Sequence, residues 1–100
     1  MNMQHMMIQA QKMQRELKKA KDALAAQEFT VNKSGLVTVT MLGNKTVTSV
    51  TIDEDGFDAD NKEMVEELIA AAINELIKQI ADAETAIEEK ITGKAGGFGF

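Results

Sequence analysis

From residue 3 to residue 24 the apolar side chains Met3, Met6, Ala10, Met13, Leu17, Ala20 and Leu24 recur at alternating intervals of three and four. That is the seam of a coiled coil, and it predicts a helix over 2–27. Such a helix is ~40 Å long at ~1.5 Å per residue, whereas a compact chain of this length has a radius of gyration of only ~13 Å. Part of it must therefore project, and a projecting apolar stripe calls for a partner. Met3, Met6, Met13, Leu17 and Leu24 are the candidate dimerisation residues, and a homodimer is expected.

Over 28–52 the period falls to two. Phe29 and Val31, then Val37, Val39 and Met41 interleaved with Thr38 and Thr40, then Val50 and Ile52 interleaved with Ser49 and Thr51, read as three short strands. Ser34-Gly35 and Gly43-Asn44 supply residues suited to the positive φ of tight reversals, so an antiparallel meander is the simplest topology. Three strands with one apolar face need helices to cover them. Past the polar stretch 53–60, Asp60 and Glu63 have the spacing of a capping box. Val65, Ile69, Ile73, Leu76, Ile80, Ala83 and Ile87 then predict a second helix over 60–91, with Gly93 as its stop. The expected class is α+β: an α-β-β-β-α protomer in which a three-stranded antiparallel meander lies between two long helices, dimeric with projecting helical arms. Residues 1–92 form a single domain and 93–100 a flexible Gly-rich tail.

Composition narrows the chemistry. One hundred residues, 44% hydrophobic and 27% charged, suit one folded domain. The aromatic residues are four Phe, with no Trp or Tyr, so the core is aliphatic and platforms for stacking single-stranded bases are scarce. The absence of Cys removes disulfides, thiolate nucleophiles and sulfur-ligated zinc, and fits a cytoplasmic protein. No run approaches the ~20 apolar residues of a membrane span, so no membrane association is expected.

Candidate reactive groups fail on geometry. Met3, His5, Met6 and Met7 are soft enough for copper(I), but Met3 and Met6 are seam positions and His5 and Met7 are not. The run DEDGFDAD resembles a calcium loop, yet with Gly56 as its sixth residue the first, ninth and twelfth positions are Thr51, Ala59 and Lys62. One His and two serines, Ser34 in a turn and Ser49 in a strand, offer no nucleophile with a base. The glycines of GKAGGFGF open no helix that would hold a phosphate. No enzyme, metal, cofactor or small-molecule substrate is expected.

Charge is unevenly distributed. Residues 1–27 carry five cations against two acids, a net +3, and residues 53–90 hold thirteen of the sixteen acids against three lysines, a net −10. In the heptad frame Lys12, Arg15, Lys18 and Lys19 point away from the seam, with Lys21 flanking it. A dimer would display them on the outside of its arms, where cations contact phosphates without reading bases.

The segments IQAQKMQREL with its Met-Gln-rich lead-in, SGLVTVTMLGNKTVTSVTID and DNKEMVEELIAAAINELIKQI, in that order and followed by a Gly-rich end, resemble the YbaB/EbfC family of bacterial nucleoid-associated proteins across essentially the full chain. The resemblance implies an α-β-β-β-α protomer, a homodimer with protruding helical arms, and binding of double-stranded DNA without catalysis. It assigns the DNA contacts to the arms, onto Lys12, Arg15, Lys18 and Lys19. This chain has Thr38 where family members often carry a Lys after the GLV of the second strand. The alternative function is a protein-interaction adaptor for a DNA-processing partner.

Overall fold

The computed structural model describes residues 2–94. Helix α1 (Met3–Ala26) leads into strands β1 (Glu28–Lys33), β2 (Val37–Leu42) and β3 (Val47–Ile52), and helix α2 (Lys62–Lys94) closes the chain after two short 3-10 turns, Glu54–Phe57 and Ala59–Asn61. The sheet is an antiparallel meander in the order β1-β2-β3. Val31 lies opposite Val39, which lies opposite Val50, so one pleat face carries the valines. The register slips between Thr40 and Met41, which pairs with Val47. The other face is polar: Thr30 and Thr40 share a hydrogen bond and the Asn32 amide donates to Thr38.

The core is built from the valine face and one side of α2. Val31, Val37, Val39 and Met41 of the sheet meet Val65, Ala72, Leu76 and Ile80 of the helix. Ala72 lets α2 lie close to the strands, and the branched neighbours fill the space on either side. α2 covers β1 and β2 and scarcely reaches β3. α1 adds nothing to this cluster; its Leu24 is buried separately, 7% exposed, where α1 packs along the second half of α2. The outcome is elongated, with a radius of gyration of 19.8 Å and extents of 69 × 22 × 14 Å, well beyond the ~13 Å of a compact chain.

Local signals explain most boundaries, and three expectations need correction. Asn2 caps α1 by accepting the His5 N–H at 2.7 Å. Ser34 and Gly35 are both left-handed, φ 56° and 70°, and make the first reversal as expected. In the second reversal the left-handed residue is Lys45, φ 69°, and neither Gly43 nor Asn44; Asn44 instead accepts the Thr46 N–H through its side chain. Asp60 and Glu63 do not open α2. Asp53 and Asp58 each accept a backbone N–H two residues on, capping the 3-10 turns, and α2 begins at Lys62. These two acids act as turn caps. Gly93 does not stop α2, which runs through it to Lys94. One Gly costs a helix only ~1 kcal/mol, less than the packing of Ile91 just before it, which is buried. Of the tail expected over 93–100, the first two residues are helical and the rest lies outside the described residues.

Candidate nucleic-acid interface

The arm is built where α1 and α2 run side by side. Lys21 of α1 meets Glu88 of α2 at 3.0 Å, while Leu24, three residues on, touches the turn whose Lys45 pairs with Glu84 at 3.6 Å. The helices are therefore antiparallel, and α1 points back along the continuation of α2. The junction rests on the β2–β3 turn. Gly43 N–H donates to the Gln27 carbonyl at 2.9 Å and Asn44 N–H to the Ala25 carbonyl at 3.2 Å, satisfying carbonyls at the end of α1 that have no helical partner. A Cβ on Gly43 would stand 1.8 Å from the Leu24 carbonyl oxygen. Glycine is required there by close approach, a reason the sequence did not disclose.

Along the seam the structure divides the candidate residues. Leu24 is buried and Leu17 and Met13 are half-buried within the protomer, whereas Met3 and Met6 stand exposed. The lower seam is thus occupied by the chain's own α2, which removes Leu24 from any surface a second copy could reach.

Lys12, Arg15, Lys18 and Lys19 are all exposed. At ~100° of turn per residue they fall within about a third of the helix circumference, opposite the seam, and span ~10 Å of its axis. Lys18 is engaged by Asp22 at 2.7 Å; that hydrogen bond, and then the carboxylate's charge, raise its pKa above the ordinary lysine value. Among the described residues Lys12, Arg15 and Lys19 make no ion pair. A cleft of about 230 Å³ at the junction, lined by Lys21, Leu24, Ala25, Gly43, Asn44, Lys45 and Glu84, offers less. Its two ammonium groups are already held by Glu88 and Glu84.

The placement of the acids decides how the cationic face behaves. Eight of the thirteen acids of 53–90 lie in 53–67, around the start of α2 at the sheet. The cations lie on the arm, level with the far end of α2, ~40 Å away at ~1.5 Å per residue. Several Debye lengths of ~8 Å separate the two. The acidic cluster of 53–67 is consequently screened from the arm, and of the acids nearer to it, Glu16 and Asp22 on α1 and Glu84, Glu88 and Glu89 on α2, Asp22, Glu84 and Glu88 are paired with Lys18, Lys45 and Lys21.

Fold and site together define a two-layer α+β protomer with a basic helical arm set apart from an acidic base. A family model described as the YbaB/EbfC DNA-binding family matches residues 1–95, and the chain belongs to that family. It is 44% identical to a nucleoid-associated protein of Agathobacter rectalis, over 96% of this chain and 86% of that one. It is 41% identical to a nucleoid-associated protein of Francisella philomiragia, over 99% and 95%. The crystal structure of the uncharacterized protein HP0035 from Helicobacter pylori shares the fold, with a TM-score of 0.59 at 19% identity, covering 97% of this chain and 96% of that one. The family is named for DNA binding and the Agathobacter and Francisella relatives for the nucleoid, and none of them for catalysis. Among the described residues no helix is long and apolar enough to cross a membrane.

Proposed function

We propose that this protein is a nucleoid-associated, cytoplasmic protein that binds duplex DNA as a homodimer, mainly through backbone charge. The observation that carries the reading is the separation of a cationic arm from an acidic base along one 69 Å axis. Lys12, Arg15 and Lys19 are the principal phosphate contacts, with Lys18 partly withheld by Asp22. Exposed ammonium and guanidinium groups on one helix face grip phosphates without reading bases, so sequence preference comes from duplex shape.

The dimer reading draws support from a surface other than the seam. β3 is an edge strand exposed along nearly its whole length. Val50 on its inner face is 46% exposed and Ile77, on the neighbouring flank of α2, 41% exposed. An open strand edge beside uncovered aliphatic side chains is an arrangement a second copy closes across a two-fold axis.

Salt titration of duplex binding tests the function. Six unpaired arm cations per dimer give a slope of log K against log salt of about −5 at ~0.9 per phosphate. Changing Arg15 and Lys19 together to Gln leaves one per arm and a slope of about −2, with helix content unchanged. If the variant binds as the parent does, the contacts lie elsewhere. If the parent binds no duplex at low salt, the adaptor reading replaces this one.

A further inference from the structure

The cations of the arm carry no sequence information, yet uncharged side chains interrupt them on the same face. Gln4, Ile8 and Gln11 follow one another at intervals of four and three, in line with Arg15, and all are exposed. At ~100° per residue they lie within about 60° of one another, with Lys12 and Lys19 on one side of the row and Lys18 on the other. Ile8 is the residue the protomer does not explain. It is 55% exposed and belongs to neither the core cluster nor the seam. Its heptad position is the one farthest from the seam, where an amphipathic helix carries polar side chains. An aliphatic group among cations suits a partner that is charged at its edges and apolar between them.

We propose that this row lies in the major groove and reads A·T pairs directly, Ile8 against the thymine methyl group and the Gln4 and Gln11 amides against adenine. The proposal rests on the phosphate contacts argued above and adds to the preference for shape a preference by contact. A major groove ~12 Å wide admits one helix of ~10–12 Å. α2 lies on the seam side of α1, so the row faces outwards. From Gln4 to Gln11 it covers ~10 Å of axis, about three base steps of ~3.4 Å, while the cations beside it meet the phosphate walls. Adenine presents an N7 acceptor and an N6 donor, which one carboxamide matches with two hydrogen bonds, and thymine presents a methyl group to an aliphatic side chain. Among the described residues the Gln4 and Gln11 side chains make no hydrogen bond, whereas Gln9, off the row, is engaged with His5 at 3.1 Å.

Binding of the full chain at low salt to an A·T-rich duplex, and to the same duplex with uracil in place of thymine, tests this. Each arm that loses its methyl contact should bind about fourfold more weakly, and Ile8→Ala, with unchanged helix content, should bind the two duplexes alike. Replacing adenine by 7-deazaadenine, which lacks the N7 acceptor, should weaken the parent by about fivefold or more and leave a Gln4→Ala/Gln11→Ala variant unaffected. If the parent binds the thymine and uracil duplexes alike, or if Ile8→Ala discriminates between them as the parent does, the base contact is overturned while the phosphate reading stands. Absence of any duplex binding overturns both.

Discussion

Replacing Gly43 by Ala tests how α1 is anchored. The added methyl would meet the Leu24 carbonyl oxygen at 1.8 Å, its carbon at 2.7 Å and the Ala25 Cα at 3.2 Å. All three are backbone atoms, so no side chain swings aside to relieve the contact. An ordinary carbon–oxygen approach is ~3.3 Å, so turn and helix end must part by more than ~1 Å. That displacement breaks the bonds from Gly43 to Gln27 at 2.9 Å and from Asn44 to Ala25 at 3.2 Å. Two lost hydrogen bonds at ~1 kcal/mol each, with ~1–3 kcal/mol for overpacking, outweigh the ~0.4–1 kcal/mol gained by stiffening the unfolded chain. The net loss is about 3 kcal/mol, which for a domain of this size lowers the thermal midpoint by about 15 °C, read by far-UV circular dichroism. Gly35→Ala is the control. Its φ of 70° is strained for Ala but its surroundings are open, so its cost stays at ~1–2 kcal/mol. A Gly43→Ala midpoint equal to that of the parent, or no lower than that of Gly35→Ala, would refute the close-approach account.

Three further outcomes follow from the structure. Lys45→Gly should raise stability by about 0.5 kcal/mol, because relief of the left-handed backbone at ~1–2 kcal/mol exceeds the loss of an exposed ion pair to Glu84 worth under ~1 kcal/mol; chemical denaturation measures it, and a lower midpoint would assign Glu84 the larger part. Asp22→Asn should return the raised pKa of Lys18 towards the ordinary lysine value in an NMR titration. The favourable linkage is present below the unfolded pKa and is lost as pH rises through the folded one, so stability near neutral pH should not vary on its account, and freeing Lys18 should steepen the DNA salt slope by ~0.9 per arm. Val50→Lys should dissociate the proposed dimer in sedimentation without loss of helix content; an unchanged dimer places the interface elsewhere.

The sequence disclosed the fold through side-chain period, because the periods of 3.5 to 3.6 and of 2 are imposed by burying one face of each element. Met41, Val65, Leu76 and Ile80 could be placed in the core from spacing alone. The arm cations were legible for the same reason, since a heptad frame fixes what faces away from the seam. Positions decided by contacts between distant segments were not legible. Gly43 looked like a turn glycine because nothing local reveals that the end of α1 rests on it. Leu17 and Leu24 looked available to a second chain because the period of a seam is the same whether its partner is another molecule or α2. The exposure of Val50 was hidden in the same way, for an alternating strand reads as core even where no helix covers it.

α2 lies on the sheet through Val65, Ala72, Leu76 and Ile80 and continues without a break into the arm. A rod clamped at one end is a lever, and the pivot of this one is the close seat at Ala72. A slight change of tilt there is multiplied along the ~30 Å from Ala72 to Lys94. The aim of the arm is therefore set by methyl groups buried in the core, far from any charge. Exchanging small and large aliphatic residues beneath α2 would redirect the arm while leaving every cation in place.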